Sequence, residues 1–299
     1  MKKMKKPELL LLIVLLLIGS IWFGVQRKVD KGFMMPRVVV SGYVPYTIIK
    51  QLAEEKVDVV MLTPPNAEPH SFEPTPGALV VLQEANTFVY VSDKLEPWAP
   101  DLAAAVGPKT RVIVLADVLP KGSDPHIWMR LSRVWALAFQ LQGVLSDINP
   151  FFRTTFEKNY QNFANEAEEL DRRFKATLST CKNREVVHIG HLAFKNLLQP
   201  YGIKLTPLSG SAHEGEHSAK KIAELVRLIK EKHISAIFTE ETISPRLAQT
   251  VAKETGVEIL PLYSIEHVSK TDFRNNATYA ELMQRNLENL AKGLQCQVY

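Results

Sequence analysis

Three histidines of this 299-residue chain each stand in a loop between a predicted strand and a predicted helix. His70 lies in a proline-rich run, His126 follows Asp124-Pro125, and His191 follows Gly190. In open α/β sheets such loops meet at one edge of the sheet, where ligands bind. Three neutral imidazoles in one cleft form a zinc-type ligand set with room for a fourth donor. The spacing therefore predicts a metal site made of these three histidines.

Strand-like and helix-like segments alternate along the chain after about residue 36. β-branched runs such as 37–43 and 185–190 are typical of buried strands, and apolar residues at helical spacing follow them. This alternation predicts parallel sheets that are covered by helices on both faces. Each half of the chain supplies about four strands, so the predicted fold is α/β, with two (β/α)4 lobes that each contain a parallel four-stranded sheet.

One long helix is predicted between the two lobes. The segment from Pro150 to about Leu178 lacks Gly and further Pro, and Phe156, Tyr160 and Phe163 begin an apolar series at helical spacing. A helix of ~28 residues would be ~42 Å long. The predicted organisation is an N-terminal segment, a first lobe, a connecting helix and a second lobe, at residues 1–34, 35–146, 147–180 and 181–299.

The first 34 residues differ in composition from the rest. Four lysines precede an apolar stretch, Leu9–Val25, which is followed by Arg27 and Lys28. This pattern predicts export through a secretory signal or an uncleaved membrane anchor, and both possibilities stay open. We therefore expect the protein in the periplasm or on the outer face of the cytoplasmic membrane.

The charge distribution argues against one class of function, and the two cysteines raise the possibility of a disulfide. The segment 1–34 holds seven basic and two acidic residues of the chain's 36 and 32, which leaves 29 against 30, a net charge of −1, for the remainder. The remainder of the chain therefore lacks the excess of positive charge that would indicate nucleic-acid binding. In an oxidising compartment, Cys181 and Cys296 could form a disulfide or remain two buried thiols.

Several sequence motifs resemble one family. They are the run 69–76 around His70, the run 124–128 around His126, the run 191–194 that begins at His191, the run 201–203, and the runs 237–240 and 244–245. In this order they resemble the zinc- and manganese-binding substrate-binding proteins of ABC transporters, over roughly residues 36–295. The resemblance implies a metal held between two lobes, with His70 and His126 from the first lobe and His191 from the second.

The fourth ligand departs from the family pattern. Relatives usually carry an aspartate after the last strand, where this chain has Tyr263, a poor ligand at its ordinary pKa of ~10. A water molecule is one possibility, and Glu216 or His217 is a tentative fourth or auxiliary ligand. A solvated 213–217 loop competes with that interpretation, and His267 is a weaker candidate.

Two further carboxylates match acidic positions of the family motifs. Glu73 and Glu240 could orient metal-bound imidazoles by accepting the second ring N–H. Helix capping or ordinary loop hydrogen bonds would explain the same residues equally well.

The predicted function is that of an extracytoplasmic metal-binding protein that delivers its ion to an ABC permease. Three nitrogen donors favour Zn²⁺, with Mn²⁺ as the alternative. We expect a monomer and no enzymatic activity. A metal-dependent surface adhesin and a three-histidine zinc hydrolase are the competing interpretations, although the chain contains no His-Glu-x-x-His hydrolase motif.

Overall fold

The computed structural model describes residues 35–120, 124–190, 192–207, 219–240 and 246–297. Four parallel strands form the sheet of the first lobe, in the order β2-β1-β3-β4. They are β1 (Arg37–Val40), β2 (Asp58–Met61), β3 (Thr87–Tyr90) and β4 (Arg111–Val114). The two central strands are almost entirely buried because helices cover both faces of the sheet.

The described helices of the first lobe follow its strands. They are α1 (Tyr43–Ala53), α2 (Pro76–Gln83), α3 (Ala99–Ala105) and α4 (Leu131–Ile148). Pro76 stands in the first turn of α2, where its missing N–H costs no hydrogen bond. Short 3₁₀ turns at Pro69–Ser71 and Ile127–Met129 interrupt the loops after β2 and β4. These turns carry or adjoin His70 and His126.

The connecting helix is α5 (Arg153–Ser179), with 27 residues. At 1.5 Å per residue it is about 40 Å long. One face of α5 is buried, and this face contains Phe156, Phe163, Ala167, Leu170, Phe174 and Leu178. It packs against α1 and α4 of the first lobe and against the C-terminal helix of the second. The helix therefore belongs to the cores of both lobes.

The second lobe repeats the topology of the first. Its strands are β5 (Glu185–Ile189), β6 (Lys204–Pro207), β7 (Ala236–Glu240) and β8 (Glu258–Leu262), all parallel and in the order β6-β5-β7-β8. The described helices are α6 (Lys195–Leu198), α7 (Ala219–Glu231), α8 (Arg246–Thr255), α9 (Lys270–Arg274) and α10 (Tyr279–Gly293). A capping box between Thr278 and Glu281 begins α10.

The predicted fold class is confirmed, with two four-stranded parallel sheets and one long helix between them. The predicted boundaries at 146/147 and 180/181 fall near helix ends, since α4 ends at Ile148 and α5 at Ser179. The division of the chain at those positions stays our proposal. The N-terminal segment 1–34 lies outside the described residues.

A disulfide joins Cys181, just after α5, to Cys296, just after α10. It links two positions 115 residues apart and encloses the second lobe. Beside it, the backbone N–H of Asn183 donates to the carbonyl of Leu294. The start of the second lobe is thus attached to its last helix by both covalent and hydrogen bonds.

Within the part of the chain that the structure describes, none of the helices has the length and apolar character needed to cross a membrane.

Gly293 at the end of α10 tests how tightly the last helix packs on the second sheet. A Cβ atom there would lie 2.5 Å from Cζ of Phe238 and 3.0 Å from Cδ1 of Leu260. We expect Gly293→Ala to lower the free energy of unfolding by about 1–3 kcal/mol, because the core must move to admit a methyl group. Urea denaturation followed by circular dichroism measures the change.

The matched control is Gly143→Ala in α4, where no described atom lies within 4 Å of the added Cβ. That substitution should stabilise the fold by up to about 1 kcal/mol, since alanine favours the helix. Equal effects of the two substitutions would contradict the packing argument.

Candidate metal site between the two lobes

His70 lies in the loop after β2, in the 3₁₀ turn Pro69–Ser71. The side chain of Glu68 accepts a hydrogen bond from the backbone N–H of His70 at 3.2 Å, which caps this turn. The indole Nε1 of Trp98 donates to the carbonyl oxygen of Pro69 at 2.9 Å. The backbone on both sides of the imidazole is therefore held in place by side chains, as a metal ligand requires.

His126 lies in the loop after β4 and is oriented by a neighbouring carboxylate. Oδ1 of Asp124 accepts the backbone N–H of His126 at 3.0 Å and lies 2.6 Å from the ring Nδ1. A carboxylate in this position favours a proton on Nδ1 and leaves Nε2 for another partner. The carbonyl oxygen of His126 accepts a hydrogen bond at 3.1 Å from Nδ2 of Asn196, which lies in α6 of the second lobe.

Glu266, four residues after β8, brings a carboxylate between the two imidazoles. Its Oε1 lies 3.1 Å from Nε2 of His126, and its Oε2 lies 3.5 Å from Nε2 of His70. The Glu266 side chain has no exposed surface, whereas those of His126 and His70 are 11% and 23% exposed. One donor atom from each residue falls within 4.8 Å of the others, a separation at which one cation could bind all three.

The loop that carries Glu266 is fixed to the first lobe by hydrogen bonds. Nε1 of Trp128 donates to the carbonyl of Ser264 at 2.8 Å, and the hydroxyl of Tyr279 donates to the carbonyl of Trp128 at 2.5 Å. Ile265 is fully buried and has a φ of +65°, a left-handed conformation that is unusual for a β-branched residue. Such strain persists where the surroundings determine the backbone, and it is common at functional sites.

The electrostatics of the site favour a positive charge. Burial lowers the pKa of His126, but hydrogen bonds to Asp124 and Glu266 outweigh this effect and raise the pKa to about 9. At neutral pH and without a metal, a proton on His126 therefore partly compensates the buried Glu266 carboxylate. A divalent cation could replace that proton.

A second buried acid, Glu96, lies under the strand ends of the first lobe. Its carboxylate accepts the backbone N–H groups of Val91 and Ser92 at 2.7 and 3.1 Å and the hydroxyl of Ser41. Burial raises the pKa of Glu96 to about 7 despite these hydrogen bonds, and the negative charge of Glu266 adds to the shift. Glu96 thus connects the carboxyl ends of β1 and β3.

Three of the predicted site residues, His191, Glu216 and His217, lie outside the described residues. The residue before His191 is Gly190, which has a φ of +155°. A Cβ at Gly190 would lie 2.3 Å from Oε1 of Glu240, so this position requires glycine. Buried Glu240 therefore packs directly beneath the backbone that leads into His191.

The other predicted residues have different surroundings. Glu240 Oε2 lies 3.6 Å from Nε2 of His267, and both side chains are almost fully buried. Burial lowers the pKa of His267, but the interaction with the neighbouring Glu240 carboxylate more than offsets this effect and raises the pKa. Glu73 is exposed, and within the described part of the chain it has no hydrogen bond or ion pair with His70 or His126. Its orienting role remains a prediction.

Glu266 and Asp124 are not among the site residues predicted from the sequence. The family pattern places the fourth ligand at Tyr263, directly after the last strand, whereas the carboxylate stands three positions later. Tyr263 instead pairs with Asn286 through its backbone N–H at 2.7 Å. Asp124 was part of a quoted motif, and its position two residues before a proposed ligand was the available signal.

Two α/β lobes with a histidine–histidine–carboxylate cluster between them form an arrangement that could hold a cation. Residues 38–293 match the family described as zinc-uptake complex component A, periplasmic. The chain belongs to this family.

Two relatives illustrate the similarity in sequence. The zinc-binding lipoprotein AdcA of Streptococcus pneumoniae is 31% identical over an alignment of 310 positions, which covers 96% of this chain and 60% of AdcA. The chain thus spans about three fifths of the length of that protein. The high-affinity zinc uptake system protein ZnuA of Bacillus subtilis is 31% identical over 281 residues, with 86% of this chain and 87% of the relative covered.

Solved structures are similar over the same region. The Zn(II)-bound ZnuA-like domain of Streptococcus pneumoniae AdcA has a TM-score of 0.77 and 32% identity, and the match covers 87% of this chain and 98% of that domain. The laminin-binding protein Lmb of Streptococcus agalactiae, described as having adhesin and metal transporting activity, has a TM-score of 0.77 and 29% identity. That match covers 87% of this chain and 99% of Lmb.

Asp124→Asn tests whether the carboxylate beside His126 orients the ring. We expect the substitution to weaken zinc binding by about 10–100-fold, because the amide can neither accept the Nδ1 proton as strongly nor stabilise a cationic site. Competition with a fluorescent zinc chelator measures the affinity. Glu157→Gln in α5 provides a matched control that removes an exposed carboxylate to which no site role is assigned, and it should leave the affinity unchanged; an equal loss in both variants would contradict the orienting role of Asp124.

Proposed function

We propose that this chain is an extracytoplasmic zinc-binding protein that captures Zn²⁺ between its two lobes and delivers it to an ABC permease. The observation that carries the proposal is the convergence of Nε2 of His70, Nε2 of His126 and the Glu266 carboxylate within 4.8 Å of one another. Membership of the zinc-uptake family and similarity to a Zn(II)-bound domain support the choice of ion.

His191 would supply the third nitrogen ligand. In the sequence His191 comes two residues after the end of β5, and Glu266 comes four residues after the end of β8. Together with His70 and His126, these residues form a set of three imidazoles and one carboxylate, which suits tetrahedral Zn²⁺. With Glu266 as the fourth ligand, neither Glu216 nor His217 is needed to complete the first coordination shell.

Zinc is favoured over manganese by the donor atoms. Mn²⁺ prefers more oxygen ligands and higher coordination numbers, whereas imidazole nitrogen suits Zn²⁺. The buried Glu266 contributes the single carboxylate among the described ligand candidates. We infer that Zn²⁺ and its four proposed ligands would carry a net positive charge, since one carboxylate balances only part of the ion's charge.

The proposed setting is the outer side of the cytoplasmic membrane. The lysine-flanked apolar stretch Leu9–Val25 would export the chain or anchor it there. The partner would be a membrane permease, and the ion is cargo rather than a cofactor for turnover. We therefore infer no enzymatic activity, in keeping with a family described by zinc uptake.

A second candidate function is adhesion at the cell surface. The similarity to Lmb, which is described as both an adhesin and a metal transporter, favours it. An adhesin with structural zinc should lose its fold when a chelator removes the ion, whereas a carrier should stay folded. Circular dichroism of the chelated protein distinguishes the two.

Replacing the proposed ligands one at a time tests the site. We expect His70→Ala, His126→Ala, His191→Ala and Glu266→Gln each to weaken zinc binding by at least about 100-fold, since each removes one of four donors. Isothermal titration calorimetry with a competing chelator measures the affinities, and Mn²⁺ is titrated in parallel to check selectivity.

Glu216→Gln and His217→Gln serve as controls within the same experiment. They should leave zinc affinity within about twofold of the unsubstituted chain. Full affinity in Glu266→Gln together with a large loss in Glu216→Gln would move the fourth ligand to the 213–217 loop. Unchanged affinity in two of the three histidine variants would refute the site.

Zinc binding should release about one proton at pH 7.5. The pKa of His126 is raised from 6.5 to about 9, so the zinc-free site holds a proton that the metal must displace. Apparent affinity should therefore rise with pH until about 9. The same raised pKa stabilises the zinc-free fold below pH 6.5, and this contribution is lost as pH rises through about 9.

Calorimetric titration in buffers with different ionisation enthalpies counts the released protons. The His126→Ala variant, titrated at higher protein concentration, should release fewer. A binding enthalpy that does not depend on the buffer at pH 7.5 would show that His126 is already neutral in the zinc-free protein.

A further inference from the structure

A cationic depression lies at the amino end of the second sheet, on the edge opposite to the metal site. It has a volume of about 460 Å³, within the range of small-molecule sites. Its charged lining comes from the chain just before β5, from the first residues of β5 and β6 and from the chain that links α7 to β7: Lys182, Arg184, Glu185, Lys204 and Lys232. Three neighbouring strands thus bring four cations and one carboxylate together.

The charges in this depression do not cancel. Glu185 pairs with Lys204 at 3.2 Å and also with Lys232. Burial raises the pKa of Glu185, but the hydrogen bonds from Lys232, Thr206 and Lys204 prevail and lower it to about 2. Glu185 is therefore ionised at neutral pH. Four positive charges against one negative charge leave a local excess of three.

Neither Lys182 nor Arg184 has a carboxylate within ion-pair distance among the residues that the structure describes. The Arg184 guanidinium instead donates to the carbonyl oxygens of Leu178 and Tyr201. Neutral carbonyls hold the group in place without neutralising its charge. A fixed and uncompensated guanidinium is well suited to bind an anion.

The backbone around the depression is also held in place. The N–H groups of Lys182 and Asn183 donate to the carbonyls of Gln295 and Leu294, next to the disulfide at Cys181. Gly202 has a φ of +68°, and a Cβ there would lie 3.2 Å from Nη2 of Arg184. A glycine at this position keeps the depression open beside the guanidinium.

We propose that this depression binds a phosphate group through Lys182, Arg184, Lys204 and Lys232. Adjacent strands are about 4.8 Å apart, so cations on three strands could contact different oxygens of one phosphate or of two linked phosphates. Lys204 and Lys232 are 67% and 45% exposed, and single contacts to such lysines are weak. An anion with several charges, which contacts several of these cations at once, should therefore bind more tightly than an anion with a single charge.

The phosphate could belong to a free compound or to a lipid headgroup of the membrane to which the chain is exported. Because all strands of the sheet are parallel, the depression and the metal ligands lie at opposite ends of the second lobe. Phosphate binding could therefore hold or orient the protein while the metal site remains accessible. The proposal does not depend on which ion the metal site binds.

Lysine acetylation followed by mass spectrometry tests the proposal on the full chain in nanodiscs. One arm adds pyrophosphate to discs of phosphatidylcholine, and the other replaces part of that lipid with anionic phosphatidylglycerol. At ten times its Kd a ligand leaves about one-tenth of sites free, so acetylation of Lys182, Lys204 and Lys232 should slow by about tenfold. Lys109 and Lys158, which are exposed elsewhere, are internal controls.

Lys182→Gln removes a cation that is not paired with Glu185, so the ion pairs of Glu185 remain. It should raise the concentration needed to protect Lys204 by about tenfold, whereas Lys158→Gln should not change it. Protection by pyrophosphate alone identifies a free phosphate compound, and protection by anionic discs identifies a lipid headgroup. No selective protection in either arm, or an equal effect of the two variants, would overturn the proposal.

Discussion

The site depends on the attraction between one buried carboxylate, Glu266, and a positive charge beside it. Glu266 has no exposed side-chain surface and lies between two imidazoles from the other lobe. An isolated carboxylate would be costly in such a place, so its charge must be compensated by a proton on a neighbour or by a metal. The raised pKa of His126 shows which neighbour holds that proton when no metal is bound. Metal capture is then an exchange of one cation for another.

This exchange requires the loops of the two lobes that carry the proposed ligands to keep fixed positions relative to each other. Hydrogen bonds from Trp128 to Ser264 and from Tyr279 to Trp128 join the His126 loop to the Glu266 loop and to the start of α10. The long helix α5 packs on helices of both lobes, which adds a shared apolar core. Because these contacts are numerous and buried, we expect metal entry and release to involve loops at the sheet edge rather than wide separation of the lobes.

Buried contacts connect the loop after β8 with two other parts of the second lobe. His267 stands directly after Glu266 and pairs with Glu240, which in turn packs against Gly190. A chain of contacts therefore connects the loop after β8 with the backbone before His191. Glu240 is thus buried and paired with His267, whereas Glu73 is exposed.

Local sequence patterns were enough to predict the fold and part of the site. β-branched runs, helical periodicity and the glycine-free stretch after Pro150 each depend on nearby residues, and the structure has strands and helices at those places. His70 and His126 could be predicted because each follows a strand, and parallel strands place such loops at one edge. The position of the Glu266 carboxylate beside the two histidines, by contrast, was decided by the tertiary structure alone. Glu266 is 140 residues from His126 and 196 from His70 in the chain, and only the packing of the two lobes brings its oxygens to their rings.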